Sequence, residues 1–137
     1  MSDKKHGLVS LREIEGKISP HQGQIDRALK LRAEALNYVD DVETLAEFIG
    51  GKTETPGRGQ DWVISREIFP EVIVYFVFRK SDDEFPASLQ VLFSGERLGL
   101  MSGEDLAGMV IHTVSHMLRY VRLANKDKKL PEVCYRV

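Results

Sequence analysis

Three consecutive segments decide the fold: Glu71-Val-Ile-Val-Tyr-Phe-Val-Phe-Arg79, the polar Lys80-Ser-Asp-Asp-Glu84, and Ala87-Ser-Leu-Gln-Val-Leu-Phe93 behind Phe85-Pro86. The first is dense in β-branched and aromatic residues, which fit a pleated surface better than a helix. It is apolar at odd and even positions alike. The strand it forms should therefore be central, with both sheet faces covered at least locally. Residues 80–84 are turn chemistry, and Pro86 opens the next strand where a missing N–H does no harm. Residues 87–93 then return as the antiparallel partner, with Leu89, Val91 and Phe93 on one face and Ser88, Gln90 and Leu92 on the other.

Upstream, Trp62–Phe69 reads as a further strand, and Lys52–Gln60, with Pro56, Gly57 and Gly59, as a loop or irregular strand. Ile25, Ala28, Leu29, Leu31, Ala35, Leu36 and Val39 recur at helical spacing and predict a first helix over 24–39. Asp40-Asp41 supply a cap for a shorter helix over 42–49, which Gly50-Gly51 ends. Downstream, Leu98–Met101 predicts one more short strand. Ser102 caps a long helix over 103–123, and Val133–Val137 offers an edge strand. The expectation is an α+β fold: an antiparallel sheet of three to five strands with two main helices packed on one face. Residues 1–19 form a mobile arm or a short packed element, and residues 20–137 a single α+β domain.

With 137 residues, 42% of them hydrophobic, the chain has apolar material for one core without disulfides or metal. A net charge of -2 argues against a nucleic-acid surface spread over the molecule. The longest apolar run, Val72–Phe78, cannot span a bilayer. The opening residues lack the apolar core of a signal peptide, and the lone Cys134 fits a reducing compartment, so the expected location is the cytoplasm.

The sharpest candidate for chemistry is His112-Thr-Val-Ser-His116. Imidazoles at i and i+4 share a helical face and can hold one metal ion. The zinc-protease motif needs Glu directly after its first His, and Thr113 stands there. At about 100° per residue, Val110, Val114, Met117 and Val121 mark the core side, with His112, His116, Asp105 and Arg119 on the polar side. Asp105 or the acidic turn Asp82-Asp83-Glu84 could supply a third ligand; without one, the pair is two surface histidines. Ile49-Gly-Gly-Lys-Thr53 imitates a phosphate loop, but the position of the first motif glycine is Ala46 and the stretch closes a helix instead of opening one. Trp62, Tyr75, Phe76 and Phe78 lack interleaved cations and read as core, not as a base-stacking face.

The run Asp82-Asp-Glu-Phe-Pro-Ala-Ser88, then Gln90-Val-Leu-Phe93, then Glu104-Asp-Leu-Ala107 resembles an uncharacterised domain-of-unknown-function family found mainly in anaerobic bacteria and archaea. That family carries a D-x-E-F-P-x-S turn before a Q-x-L-F strand. Ser94 departs from the pattern, in which Asp commonly follows the Phe. The resemblance covers about residues 62–110. No complete catalytic constellation is present, which points to a non-catalytic binding or accessory module acting on a partner protein or a cofactor whose identity is unknown. The resemblance fits that reading and implies an association with redox or corrinoid enzymes of anaerobic metabolism. A single cysteine cannot ligate an iron–sulfur cluster by itself. Two other readings remain: a structural homodimer without a ligand site, and a metal protein using His112 and His116. Ser88 and Gln90, the strand positions packing explains least, are the alternative cofactor-binding site.

Overall fold

Alternate residues of the 72–79 strand meet different surroundings, and that difference sets the layering. The computed structural model describes residues 8–16 and 18–137. Strands β1 (Lys52–Glu54), β2 (Trp62–Phe69), β3 (Val72–Arg79) and β4 (Ser88–Ser94) form one antiparallel sheet in the order β1-β2-β3-β4. Val72, Val74, Phe76 and Phe78 are buried, and the register sets Val74 opposite Phe93, Phe76 opposite Val91 and Phe78 opposite Leu89. On the other side Trp62 and Ile64 face Phe78 and Phe76. These residues make the inner face. The outer row, Ile73, Tyr75 and Val77, is only half-buried, so cover on that side is partial.

Helices α1 (Leu11–Glu15), α2 (Pro20–Arg32), α3 (Val42–Phe48) and α4 (Gly103–Ala124) accompany the sheet in the α+β architecture the sequence predicts. Ser102 caps α4, its hydroxyl accepting from Asp105 N at 3.0 Å. The α4 row Val110, Val114, Met117 and Val121 is buried in one core with the inner sheet face. Helix α2 starts earlier than its periodicity suggests because Ser19 caps Gln22 N at 3.3 Å and Pro20 takes the first turn. It also ends sooner. From Ala33 to Tyr38 the chain tightens into a 3₁₀ helix, which clamps the base of the β3–β4 hairpin. Asn37 Nδ2 donates to Ser81 Oγ at 2.9 Å, Ser81 N donates to Asn37 Oδ1 at 3.1 Å, and Ala87 N donates to Glu34 Oε2 at 2.9 Å.

Two expected strands are 3₁₀ turns instead, over Leu98–Leu100 and Glu132–Tyr135. The β4 edge is already occupied beside Phe93: Val9 N donates to Phe93 O and Phe93 N to Val9 O, both at 2.8 Å. The tail packs Cys134 fully into the core, and burial pushes its thiol up. Part of the expected N-terminal arm, residues 1–7 and 17, lies outside the described residues. Within the remainder α1 packs, with Leu11 buried and a reciprocal cap between Ser10 and Glu13, while Ile18 is exposed.

Gly95 sits at φ 121 with its α-carbon against the carbonyl of Glu71, where a Cβ would collide with that oxygen. We expect Gly95→Ala to lower stability by about 1–3 kcal/mol, read as a drop in urea midpoint at unchanged slope. Gly99→Ala, which meets nothing within 4 Å, should stay within about 0.5 kcal/mol. Equal effects of the two would refute the steric account.

Glu15 joins α1 to the start of α4. Its carboxylate accepts from Ser19 Oγ at 2.6 Å, lies 2.6 Å from His21 Nδ1, and abuts Gly103. The hydrogen bond from Ser19 first, then that with His21, holds the carboxyl below its ordinary value of 4.5. A depressed folded-state value stabilises above the unfolded value and is lost as pH falls through the folded one. Glu15→Gln should therefore lower the melting temperature at neutral pH, with the gap to wild type closing as pH drops below about 4.5. A gap independent of pH would assign the loss to packing.

Candidate functional site: the cleft between α3, β2 and α4

His112 and His116 sit one turn apart on α4; His112 is exposed and His116 half-buried. The i, i+4 spacing puts both on the side of the helix away from the fully buried row. The His116 ring stacks on Phe48, at the end of α3, with centroids 4.5 Å apart and planes at 23°. Tyr120 tilts against the same Phe48 at 5.5 Å. Arg119 Nη1 lies 3.4 Å from His116 Nδ1. Donation there assigns the proton of a neutral ring to Nε2.

The opposite wall comes from β2. Its register sets Arg66 opposite Val74, on the inner face with Trp62 and Ile64. A guanidinium turned toward a core needs hydrogen-bond partners. Arg66 Nη1 donates to Thr113 Oγ1 at 2.7 Å, and the threonine hydroxyl donates to Met109 O at 2.7 Å. Thr113 is 2% exposed, so this bond forms largely out of water.

The end of α3 closes the third side. Gly50 N donates to Glu47 O at 3.1 Å and Gly51 N to Ala46 O at 2.8 Å, with Gly50 at φ 77. This pairing is the left-handed helix closure that satisfies the final carbonyls. Between the three elements lies a cleft of about 510 Å³, with Glu47 and Phe48 on one side, Arg66 at the sheet, and His112, His116 and Arg119 along α4. Both arginines are formally cationic; Glu47, exposed, is the one carboxylate among the described residues lining it.

The structure brings the two histidines into one cleft but does not bring the expected third ligands to them. Asp105 is in the first turn of α4, about 10 Å back along the axis from His112. Among the described residues no group of three or more His, Cys, Asp or Glu side chains could hold a metal ion. Asp82 is occupied in its turn, its Oδ1 accepting from the backbone N–H groups of Glu84 and Phe85 at 2.8 Å each. Those two bonds, that from Phe85 first, hold its carboxyl below the ordinary range. Phe85 is exposed, with the Arg79 guanidinium 5.8 Å from its ring centroid.

Ser88 and Gln90 lie on the outer face, across the sheet from the histidines. There they border a depression of about 210 Å³ with Arg58 and Arg79. A larger outer depression of about 520 Å³ is lined by Leu8, Val63, Tyr75, Val77 and Leu92 together with the polar Glu54, Thr55, Gln60 and Ser94. Sequence reading missed Arg66, Glu47 and Phe48. The signal for Arg66 was present in Trp62-Val-Ile-Ser-Arg66, where period-two alternation sets a charge on the tryptophan face.

The chain belongs to a family described as a domain of unknown function (DUF3786), whose model matches residues 2–116, from the N-terminal segment through the sheet to His116. No curated protein and no solved structure matches it. No helix among the described residues is long and apolar enough to cross a membrane.

The bond from Arg66 to Thr113 ties the sheet to α4 beneath the cleft. Hydrogen bonds to charged groups contribute about 1.5–3 kcal/mol where solvent is excluded. Arg66 is half-buried, so we expect Thr113→Val to destabilise by about 1–2 kcal/mol in urea unfolding, with Thr113→Ser close to wild type. A loss under about 0.5 kcal/mol would mean that water replaces the hydroxyl freely.

Proposed function

We propose that this domain is a non-catalytic binding module and that the cleft bounded by the end of α3, Arg66 and α4 is where it holds its ligand. The observation that carries this reading is convergence. Side chains able to donate hydrogen bonds come from a strand and a helix distant in sequence, onto one concavity of about 510 Å³. That size is typical of sites for small molecules or for a protruding group of a partner. A nucleophile paired with a base and an orienting group, the minimum for covalent catalysis, is not among the residues around it. The accessory role beside redox or corrinoid enzymes of anaerobic metabolism is compatible with such a module, which would present or sense a ligand.

Two observations favour other readings. The i, i+4 pair His112 and His116 offers two imidazoles to a divalent metal. A partner chain would then have to bring the remaining ligands. The half-buried outer row of Ile73, Tyr75 and Val77 would suit a homodimer.

Amide-resolved NMR on the full chain separates these readings. It would use separate titrations with a phosphate, a dicarboxylate, an amine, a neutral polyol and zinc. The binding-module reading expects at least one organic or oxyanion probe to shift the amides of Gly50, Arg66 and residues 112–119, with the probe recovered unchanged. Shifts confined to zinc would favour the metal reading. Concentration-dependent shifts of Val63, Tyr75 and Leu92 without any probe would favour the dimer.

A further inference from the structure

We infer that the ligand group held in this cleft is a phosphate ester of a small hydroxylated molecule, bound by Arg66 and Arg119 with His112 and His116 as further donors; the inference rests on the cleft being the binding site. Charge comes first. Arg66 and Arg119 border one cleft, and no carboxylate among the described residues forms an ion pair with either. An anion held between two guanidinium groups that line one concavity gains charge-assisted contacts from both.

Direction comes second. A carboxylate is planar, and one arginine fork can satisfy it. A phosphate presents its oxygens in several directions. Here the donors also come from several directions, Arg66 from the sheet and Arg119, His112 and His116 from the helix. Arg66 is anchored through Nη1 to Thr113, so the guanidinium is positioned before any ligand arrives. Of its five N–H groups, that bond takes one. His116 is likewise fixed by its stack on Phe48 and its contact with Arg119. Preformed donors lose little side-chain freedom on binding.

Glu47 at the rim narrows the class. It opposes a bare oxyanion, whereas hydroxyl groups on the molecule bearing the phosphate could donate to it. The end of α3 does not forbid an anion: three of its last carbonyls already accept from Ile49, Gly50 and Gly51 N–H groups, and a helix of this length has a small dipole to begin with.

Isothermal titration of the full chain at low salt, with binding mapped by amide NMR, tests this. The probes are glycerol 3-phosphate, inorganic phosphate, succinate, glycerol and an alkylamine. Glycerol 3-phosphate should bind in the cleft more tightly than succinate, and added salt should weaken it. Arg119→Gln, an exposed position, should weaken it about tenfold. Arg66→Gln should do at least as much. Because that change also strips the bond to Thr113, Arg119→Gln and His112→Asn carry the conclusion if it fails to fold. Equal binding of inorganic phosphate would uphold the donor set and make free phosphate the ligand. Succinate, glycerol or the amine binding in the cleft without phosphate would overturn the phosphate assignment while leaving the binding module standing. A cleft silent to every probe would remove both. Phosphate binding that Arg119→Gln and His112→Asn leave unchanged, or that maps elsewhere, would refute the inference outright.

Discussion

Burial of the inner row of β3, Val72, Val74, Phe76 and Phe78, is the constraint from which the rest of the architecture follows. Each such side chain contributes about 1.5–3 kcal/mol when taken fully out of water, and four in a row on a central strand demand a continuous apolar cover. Helix α4 meets that demand with Val110, Val114, Met117 and Val121. Once that row is committed to the core, helical geometry has no freedom left over where His112, His116 and Arg119 go: they must face away from it. The cleft is thus a consequence of core packing combined with the placement of α3.

The layers could be read from the sequence because they depend on periodicity. The alternation in Ala87–Phe93, the unbroken apolar run before it and the 3.6-residue pattern of α4 are local signals, and the structure follows them. The departures come from contacts that no local window contains. Leu98–Leu100 and the tail were strand-like by composition, yet Val9, distant in sequence, pairs beside Phe93. Helical spacing continues to Val39, but the last turns tighten to 3₁₀, where Glu34 and Asn37 hold the hairpin base. The cleft was half legible. The helical wheel puts His112, His116 and Arg119 on one side, while Arg66 stays hidden because β2 reads as a mixed pattern until its register is known.

Arg66 is the point at which the fold and the proposed binding cleft meet. An apolar residue there would extend the Trp62–Ile64 row and would be the default for a sheet with a helix packed over it. A guanidinium at that position gives up hydrophobic burial and requires partners, of which Thr113 is one. Natural sequences tend to break local rules at functional sites. An inward-facing arginine whose neighbours across a cleft are a second arginine and two imidazoles is such a break, and it finds no other compensation among the ion pairs of the described residues.

The Gly50-Gly51 pair, which imitates a phosphate loop in sequence, has a different task that bears on the same site. Gly50 adopts the left-handed conformation that ends α3, and Gly51 passes so close to β2 that a Cβ would strike the Ser65 carbonyl. Both requirements exclude side chains for reasons of geometry alone, so the glycines need no ligand to explain them. Their effect is to press the end of α3 against the strand that carries Arg66, with the Arg66 Nε about 4.0 Å from where a Gly50 Cβ would sit. Phe48 is thereby delivered to His116, and the third wall of the cleft is fixed by backbone contacts instead of by flexible side chains. Glycines next to Lys52 and Thr53 match part of a phosphate-loop pattern, but their steric role is to build the wall that shapes the cleft.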